Sequence, residues 1–491
     1  MKLLLPVILL LTALNLVAQM KVVARPSQSS LVTFRIVFLT GSASDPADKP
    51  GVASLTAAML SAGGTREMSY EQIVNAMFPM ATSVSSQVDK EMTVFSAATH
   101  VDNLEAFYKV FRAMLLDPGW RADDFERLRD DAVNFLRVSL RGNNDEELGK
   151  EVLYDDIYRG HPYGHQNVGA VSALQKMTLA DLQAFYRSRY TRDNLVIGIA
   201  GGYPAAFFER LKKDFEKLPK KAAGRAAWTA PQPLRGIHVT MIEKDTRGVA
   251  MSIGFPIPVK RGHPDYPALL VAQSYFGQHR SSGGVLFDRM RQIRGLNYGD
   301  YAYIEYFPRG MFLFEPDPNL GRRSQIFQIW IRPVEPPTAH FALRLALYEL
   351  DKLIREGIPR EDFDRSRSFL SKYINLLIKT KSAELGYAID SRYYGIADYD
   401  SYIKTSLAKL TVEDVNKAIR RYLRTPDLDI VIVAKGCEEL KKTLLDGGPS
   451  LMTYNSPKPK EVLEEDKIVT NWKIDLKPEA VRIVPVDQIF E

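Results

Sequence analysis

The residues best suited to chemistry on a polar substrate share one stretch, Ser281 to Tyr298, reading Ser-Ser-Gly-Gly-Val-Leu-Phe-Asp-Arg-Met-Arg-Gln-Ile-Arg-Gly-Leu-Asn-Tyr. Arg291 offers a planar fork of N–H donors and Tyr298 a phenolic O–H, and both suit a carbonyl oxygen or an oxyanion. Ser281, Ser282, Gly283 and Gly284 make a flexible loop ahead of them. Leu286, Phe287, Met290 and Ile293 recur at near-helical spacing, so a short amphipathic helix is predicted to carry Arg291. Gly295 stands where a left-handed cap would end that helix, and Tyr298 follows at a strand entry. A turn between them lets guanidinium and phenol converge. The same residue types also suit a solvated helix face and a core rim, so the surroundings must decide.

Other groupings promise less. Glu146, Glu147, Glu151, His161 and His165 lie close together, and Glu147 and Glu151 share a helical face. Leu148, Val152, Leu153 and Ile157 read as the buried side of that helix, which makes the glutamates solvated surface and argues against a metal site. Cys437 is the only cysteine, so neither an intrachain disulfide nor a multi-cysteine metal site is available. No serine sits in a Gly-x-Ser-x-Gly elbow.

The elements that must hold these residues form a repeated pattern. Asp123 to Arg129 matches Glu361 to Arg367 in charge and in the position of Phe125 and Phe363. Farther on, Lys176 to Leu182 matches Lys409 to Val415, and each Thr-x-x-Asp (Thr178, Thr411) predicts a helix cap. An apolar strand follows each, Leu195–Ile199 and Leu428–Ile432. Helical stripes precede the first match, Leu104, Phe107, Phe111 and Met114 in one half and Leu343, Leu347, Leu350 and Ile354 in the other. Two homologous halves follow from this order. Strands are also predicted at Leu31–Thr40, Ala81–Gln87, Glu91–Thr99 and Val249–Pro256, with helices at Val52–Leu60 and Tyr70–Met77. Grouped strands and grouped helices argue for an α+β fold of two lobes, each a largely antiparallel sheet packed with helices. The hairpin of Ala81 to Thr99 is polar and expected at an exposed sheet edge.

At 491 residues the chain exceeds what one core normally serves. Its net charge of +6 arises from 65 basic and 59 acidic residues without a Lys/Arg block, so no nucleic-acid partner is inferred. Lys2 followed by the apolar run Leu3–Leu11 has the layout of a secretory signal, expected to be cleaved rather than retained. The expected segments are a signal peptide at 1–18, a first lobe at 19–222, a linker at 223–235, a second lobe at 236–454 and an extension at 455–491. In that extension strands are predicted at Ile468–Ile474 and Val481–Val486, wrapping back onto a half or onto a partner.

Taken together, these features resemble the insulinase/pitrilysin-type metallopeptidase family, in its shorter bacterial and processing-peptidase-like branch. The likeness spans about Leu31 to Leu445. Gly41 to Asp45 leading into Gly51-Val52-Ala53 resembles the family's opening loop, and His161-Pro162-Tyr163-Gly164 a turn of the first half. Arg291 to Tyr298 resembles the arginine–tyrosine pair of the second half. The Ser281 to Gly284 segment resembles the substrate loop of the non-zinc processing subunit.

The chain departs from the resemblance at the metal. The family's His-x-x-Glu-His supplies two zinc ligands one turn apart and a general base. Ser54, Ala57 and Ala58 stand in those places, and the third ligand falls near Asn134 or Phe135. No cofactor is therefore expected here. Zinc is expected only in a partner subunit. The resemblance implies a secreted, periplasmic non-zinc subunit that pairs with a zinc-bearing chain as a heterodimer. It would bind extended peptide and offer Arg291 and Tyr298 to the scissile carbonyl. A non-catalytic scaffold and a peptide-binding clamp are the alternative readings.

Overall fold

A computed structural model describes residues 21–220, 229–278, 283–310, 313 and 316–491. The expected signal peptide, residues 223–228 of the expected linker, and Ser281 and Ser282 lie outside the described residues. In the first half, strands β1 (Lys21–Pro26) and β2 (Leu31–Phe38) lead into helices α1 (Val52–Ala62) and α2 (Tyr70–Met77). The hairpin β3 (Val84–Val88) and β4 (Thr93–His100) follows, then α3 (Leu104–Leu116) and α4 (Ala122–Asn134). A π-helical segment, Phe135–Gly142, runs into α5 (Asp145–Ile157). The half closes with α6 (Val171–Lys176), α7 (Leu179–Arg189), β5 (Leu195–Gly201) and α8 (Ala205–Phe215).

The second half repeats this order. Its β6 (Ile237–Glu243) and β7 (Val249–Ile257) precede α9 (Tyr266–Gly277), a π-helical segment Phe287–Gln292, β8 (Asp300–Tyr303) and β9 (Gln325–Val334). Then come α10 (Ala339–Glu356), α11 (Arg360–Leu377), α12 (Lys381–Tyr394), α13 (Tyr399–Lys409), α14 (Val412–Tyr422), β10 (Leu428–Ala434) and α15 (Cys437–Asp446). The tail adds α16 (Lys460–Thr470) and β11 (Val481–Pro485). The sheets run β1-β5-β2-β4-β3 and β11-β6-β10-β7-β9-β8, so equivalent strands occupy equivalent places. Each sheet is antiparallel except where its first strand meets its last, β1 with β5 and β6 with β10, and where β11 joins β6.

The repeat is visible residue by residue. Phe125 and Phe363 are both the fourth residue of their helices and both are buried. Thr178 and Thr411 each accept from the backbone N–H three residues on, and Asp181 and Asp414 reach back to complete a capping box.

The halves exchange helices. One face of each sheet is covered by its own lobe, as where Phe34, Phe107 and Phe111 pack together in the first. The other face takes a helix from the opposite half. Helix α5 lies on β7 and β10, and α12 lies on β1, β2 and β5. Val37, Val94 and Val196 thus bury against Leu385 and Ile389. Gly198 is small for this reason: a Cβ there would sit 2.7 Å from Ile389 Cδ1. Among the described residues no helix is long and apolar enough to cross a membrane.

Two expectations need correction. Helix α16 occupies residues predicted as a strand from Ile468. It buries Val462, Asp466 and Val469, while Ile468 is exposed. The alternation of Trp472, Ile474 and Leu476 belongs instead to an unpaired extended run packed on the second core. Strand β11 is close to its expected place. The polar hairpin does put β3 at a sheet edge, but its turn, Asp89, Lys90 and Glu91, is buried between the halves.

Candidate arginine–tyrosine site

The Arg291 segment begins as a helix and then widens. Ile293 N–H donates to Asp288 O at 2.9 Å, the five-residue closure of a π-turn. Leu286, Phe287 and Met290 face the core as the spacing requires, and Ile293 is half-buried. Gly295 ends the segment at φ +68°, the left-handed stop expected from its position. Asn297 then shapes the turn. Its Oδ1 accepts from Gly299 N–H at 3.0 Å, and its amide donates to Arg332 O at 2.9 Å and to Asp300 Oδ1 at 2.8 Å.

The turn brings Arg291 and Tyr298 together. Arg291 Nη1 donates to the Tyr298 backbone oxygen at 3.0 Å. The guanidinium carbon lies 5.6 Å from the centre of the Tyr298 ring and 4.9 Å from that of Phe287. Tyr298 is 76% exposed, a large phenol held in solvent by a backbone contact. Among the described residues no carboxylate pairs with Arg291. Gly284 is buried and Gly283 exposed at the mouth of this segment.

Asp300, two residues beyond, was not anticipated. It is fully buried on β8, and burial pushes its carboxyl up to about 8 against the donation from Asn297. Glu151 is likewise pushed up to about 7, first by burial and then by Glu147. Such acids hold a proton in the folded chain that the unfolded chain, near pKa 4, has lost. The folded state therefore binds more protons, and stability falls as pH rises through this window. Urea denaturation is expected to show a declining midpoint from pH 5 to 8. Asp300→Asn, which mimics the neutral acid, should flatten the part between 7 and 8.

The residues expected at metal places lie on α1 and where α4 passes into the first π-segment. Ser54 donates from Oγ to Asn167 O at 2.6 Å, Ala57 is fully buried, and Ala58 is half-buried on the same helix. Asn134 and Phe135, at the start of the first π-segment, are exposed. A hydroxyl already given to a carbonyl, two methyl groups and an uncharged amide or phenyl do not make a zinc donor set. Among the described residues no group of three His, Cys, Asp or Glu could hold a metal ion. The purified protein is expected to carry no stoichiometric zinc by elemental analysis. One tightly bound zinc per chain with chelator-sensitive proteolysis would contradict this. Ser54→His, Ala57→Glu and Ala58→His together should still fail to bind zinc, because the distal position lacks an acid.

Glu147 and Glu151 are not solvated surface. Both are only 8% exposed, because α5 is enclosed by its own lobe and by the second sheet. Glu147 accepts from Arg309 N–H at 2.8 Å and Glu151 from the Tyr306 hydroxyl at 3.2 Å. They line an interlobe cavity of about 500 Å³ with Gln87, Phe135, Asn144 and Asn167. The histidines are used apart from them. His161 Nε2 lies 2.9 Å from Thr229 O, and His165 Nε2 lies 3.3 Å from Asp45. Neither Arg291 nor Tyr298 lines this cavity, and neither do Ser54, Ala57 and Ala58.

Comparison with known proteins agrees with this architecture. A curated relative, called an uncharacterized zinc protease of Mycobacterium bovis, is 24% identical over 73% of this chain and 78% of its own. A probable mitochondrial-processing peptidase subunit beta of Schizosaccharomyces pombe is 22% identical over 44% of this chain and 47% of its own. Among solved structures, a peptidase M16 inactive domain from Pseudomonas fluorescens superposes with a TM-score of 0.75 at 22% identity, covering 85% of this chain and 96% of that one. The family model for insulinase, peptidase family M16, matches residues 21–170, and that for the peptidase M16 inactive domain matches residues 176–370. On these two successive matches and the shared fold, the chain belongs to the M16 insulinase family of peptidases.

Proposed function

We propose that the chain is a secreted, non-zinc subunit of a two-chain M16 peptidase, acting outside the inner membrane in the periplasm. Its Arg291 and Tyr298 would hold the scissile carbonyl of an extended peptide, and a zinc-bearing partner would supply metal and base. The observation that carries this reading is an exposed phenol fixed beside a guanidinium that pairs with no carboxylate among the described residues. Such donors stabilise charge developing on an oxygen. Zinc-activated water approaches the same carbonyl from another side, so the two sets of groups need not share a chain. Edge strands such as β3 suit addition of an extended peptide through backbone pairing.

A scaffold reading also has an observation behind it. Arg291 already donates to the carbonyl of Tyr298 and lies over its ring, as a purely structural turn would require. The two readings separate on mixing the protein with a zinc-bearing M16 chain from the same cell and following peptide cleavage. The first requires both chains for full activity. The second predicts assembly without any effect of the pair.

A further inference from the structure

Three arginines crowd the turn around the π-segment, Arg289, Arg291 and Arg294, with Asp288 the single acid among them. Left alone they would repel one another and fray the turn. The widened π-turn brings Arg294 back onto Arg289, and Arg294 Nη1 donates to Arg289 O at 3.1 Å. Arg294 is buried and gives Nε to Asp466 Oδ1 at 2.9 Å and Nη2 to Glu465 Oε2 at 2.7 Å. Arg289 pairs with the same Glu465 and with Glu349 of α10, the latter at 2.8 Å. Glu465 and Asp466 belong to α16, in the tail beyond the repeated lobes.

The tail is itself anchored. Buried Arg344 holds the carbonyls of Thr470 and Gly447, and Trp472 packs edge-on against Tyr348 with ring centres 5.2 Å apart. Tyr454 donates to Asp466 Oδ2 at 2.6 Å, which orients that carboxylate from within the tail. Beyond β11 the chain crosses to the first lobe, where Glu491 pairs with Arg137 and Arg141 of the other π-segment, each at 2.7 Å.

We propose that residues 447–491 form a strap whose Glu465 and Asp466 are positioning residues for Arg291 and Tyr298. The strap neutralises Arg289 and Arg294, while Arg291 pairs with no carboxylate among the described residues and stays available to an incoming carbonyl. This rests on the functional reading above, and the test separates the two. In Glu465→Gln with Asp466→Asn, hydrogen exchange of amides 287–298 is expected to quicken at least tenfold, while β7, β9 and β10 exchange as before. Glu464→Gln, on the exposed side of the same helix, should change nothing. With a zinc-bearing partner, kcat should fall at least tenfold at unchanged KM. Unaltered exchange at 287–298 would overturn the strap, and so would a uniform rise across the second lobe, which marks general destabilisation. A local rise in exchange with unaltered kcat would uphold the strap and overturn the catalytic reading of Arg291 and Tyr298.

Discussion

Arg291→Ala and Tyr298→Phe are each expected to lower the turnover of the mixed two-chain peptidase by about a hundredfold, roughly 3 kcal/mol of transition-state stabilisation. Tyr298→Phe is the sharper test. It keeps the ring that lies beside the guanidinium and removes only the hydroxyl, which stands on a side chain 76% exposed. The fold and the complex should therefore survive it, so lost turnover would report lost donation. Arg291→Ala removes the fork, the bond to the Tyr298 carbonyl and the contact with Phe287 together. Arg291→Lys keeps the charge without the planar fork and should recover only part of the activity. The measurement is single-turnover cleavage with both chains saturating, alongside a binding assay for the complex. Unchanged turnover in both variants would leave the scaffold reading standing.

Asp89→Ala is expected to destabilise the chain by about 3–5 kcal/mol, the usual result of stripping one partner from a buried ion pair. Asp89 is fully buried in the turn of the first hairpin, and Arg322, 1% exposed, reaches it from the second half. The guanidinium grips the carboxylate with both arms, Nε to Oδ2 at 2.8 Å and Nη2 to Oδ1 at 2.5 Å. It also lies 3.5 Å from the centre of the Tyr306 ring. Burial alone would raise the Asp89 carboxyl, yet Arg322 holds it below the usual range. Removing the acid leaves a buried cation between the lobes without its hydrogen-bonded carboxylate. Asp89→Ala combined with Arg322→Met should be markedly less harmful than Asp89→Ala alone, because the pair disappears together. Denaturation midpoints for the two single variants and the double would decide this. A double variant no better than Asp89→Ala would mean that packing, not charge, holds the lobes at this point.

Much of the architecture was legible because its signals are local. The caps at Thr178 and Thr411 need only the three residues that follow, and both form as expected. The apolar runs at Leu195 and Leu428 become fully buried strands, and the matched order of motifs foretold two lobes with the same sheet order. Residue identity alone also decided the chemistry of α1, since no fold turns Ser54, Ala57 and Ala58 into zinc ligands. The meeting of Arg291 with Tyr298 followed from the Gly295 stop between them.

What the sequence could not carry depends on contacts distant along the chain. β1 and β6 went unread, since each exists by parallel pairing with a strand at the far end of its lobe. Helical periodicity assigned Glu147 and Glu151 to solvent because it assumes one buried side. The exchange of α5 and α12 between the halves buries a second side, and only the assembled sheets provide it. The tail read as a strand at Ile468 because alternation there is real but unpaired, whereas the helix before it is held by Arg294 and Arg344, more than a hundred residues away. Local propensity is a weak force beside such ion pairs and burial. The sequence by itself determined the repeated lobes and which donor atoms α1 can offer, since caps, periodicity and donor atoms are properties of neighbouring residues. Which charges are buried and which of them meet as ion pairs were decided only by the tertiary structure, because those depend on what the rest of the chain brings alongside.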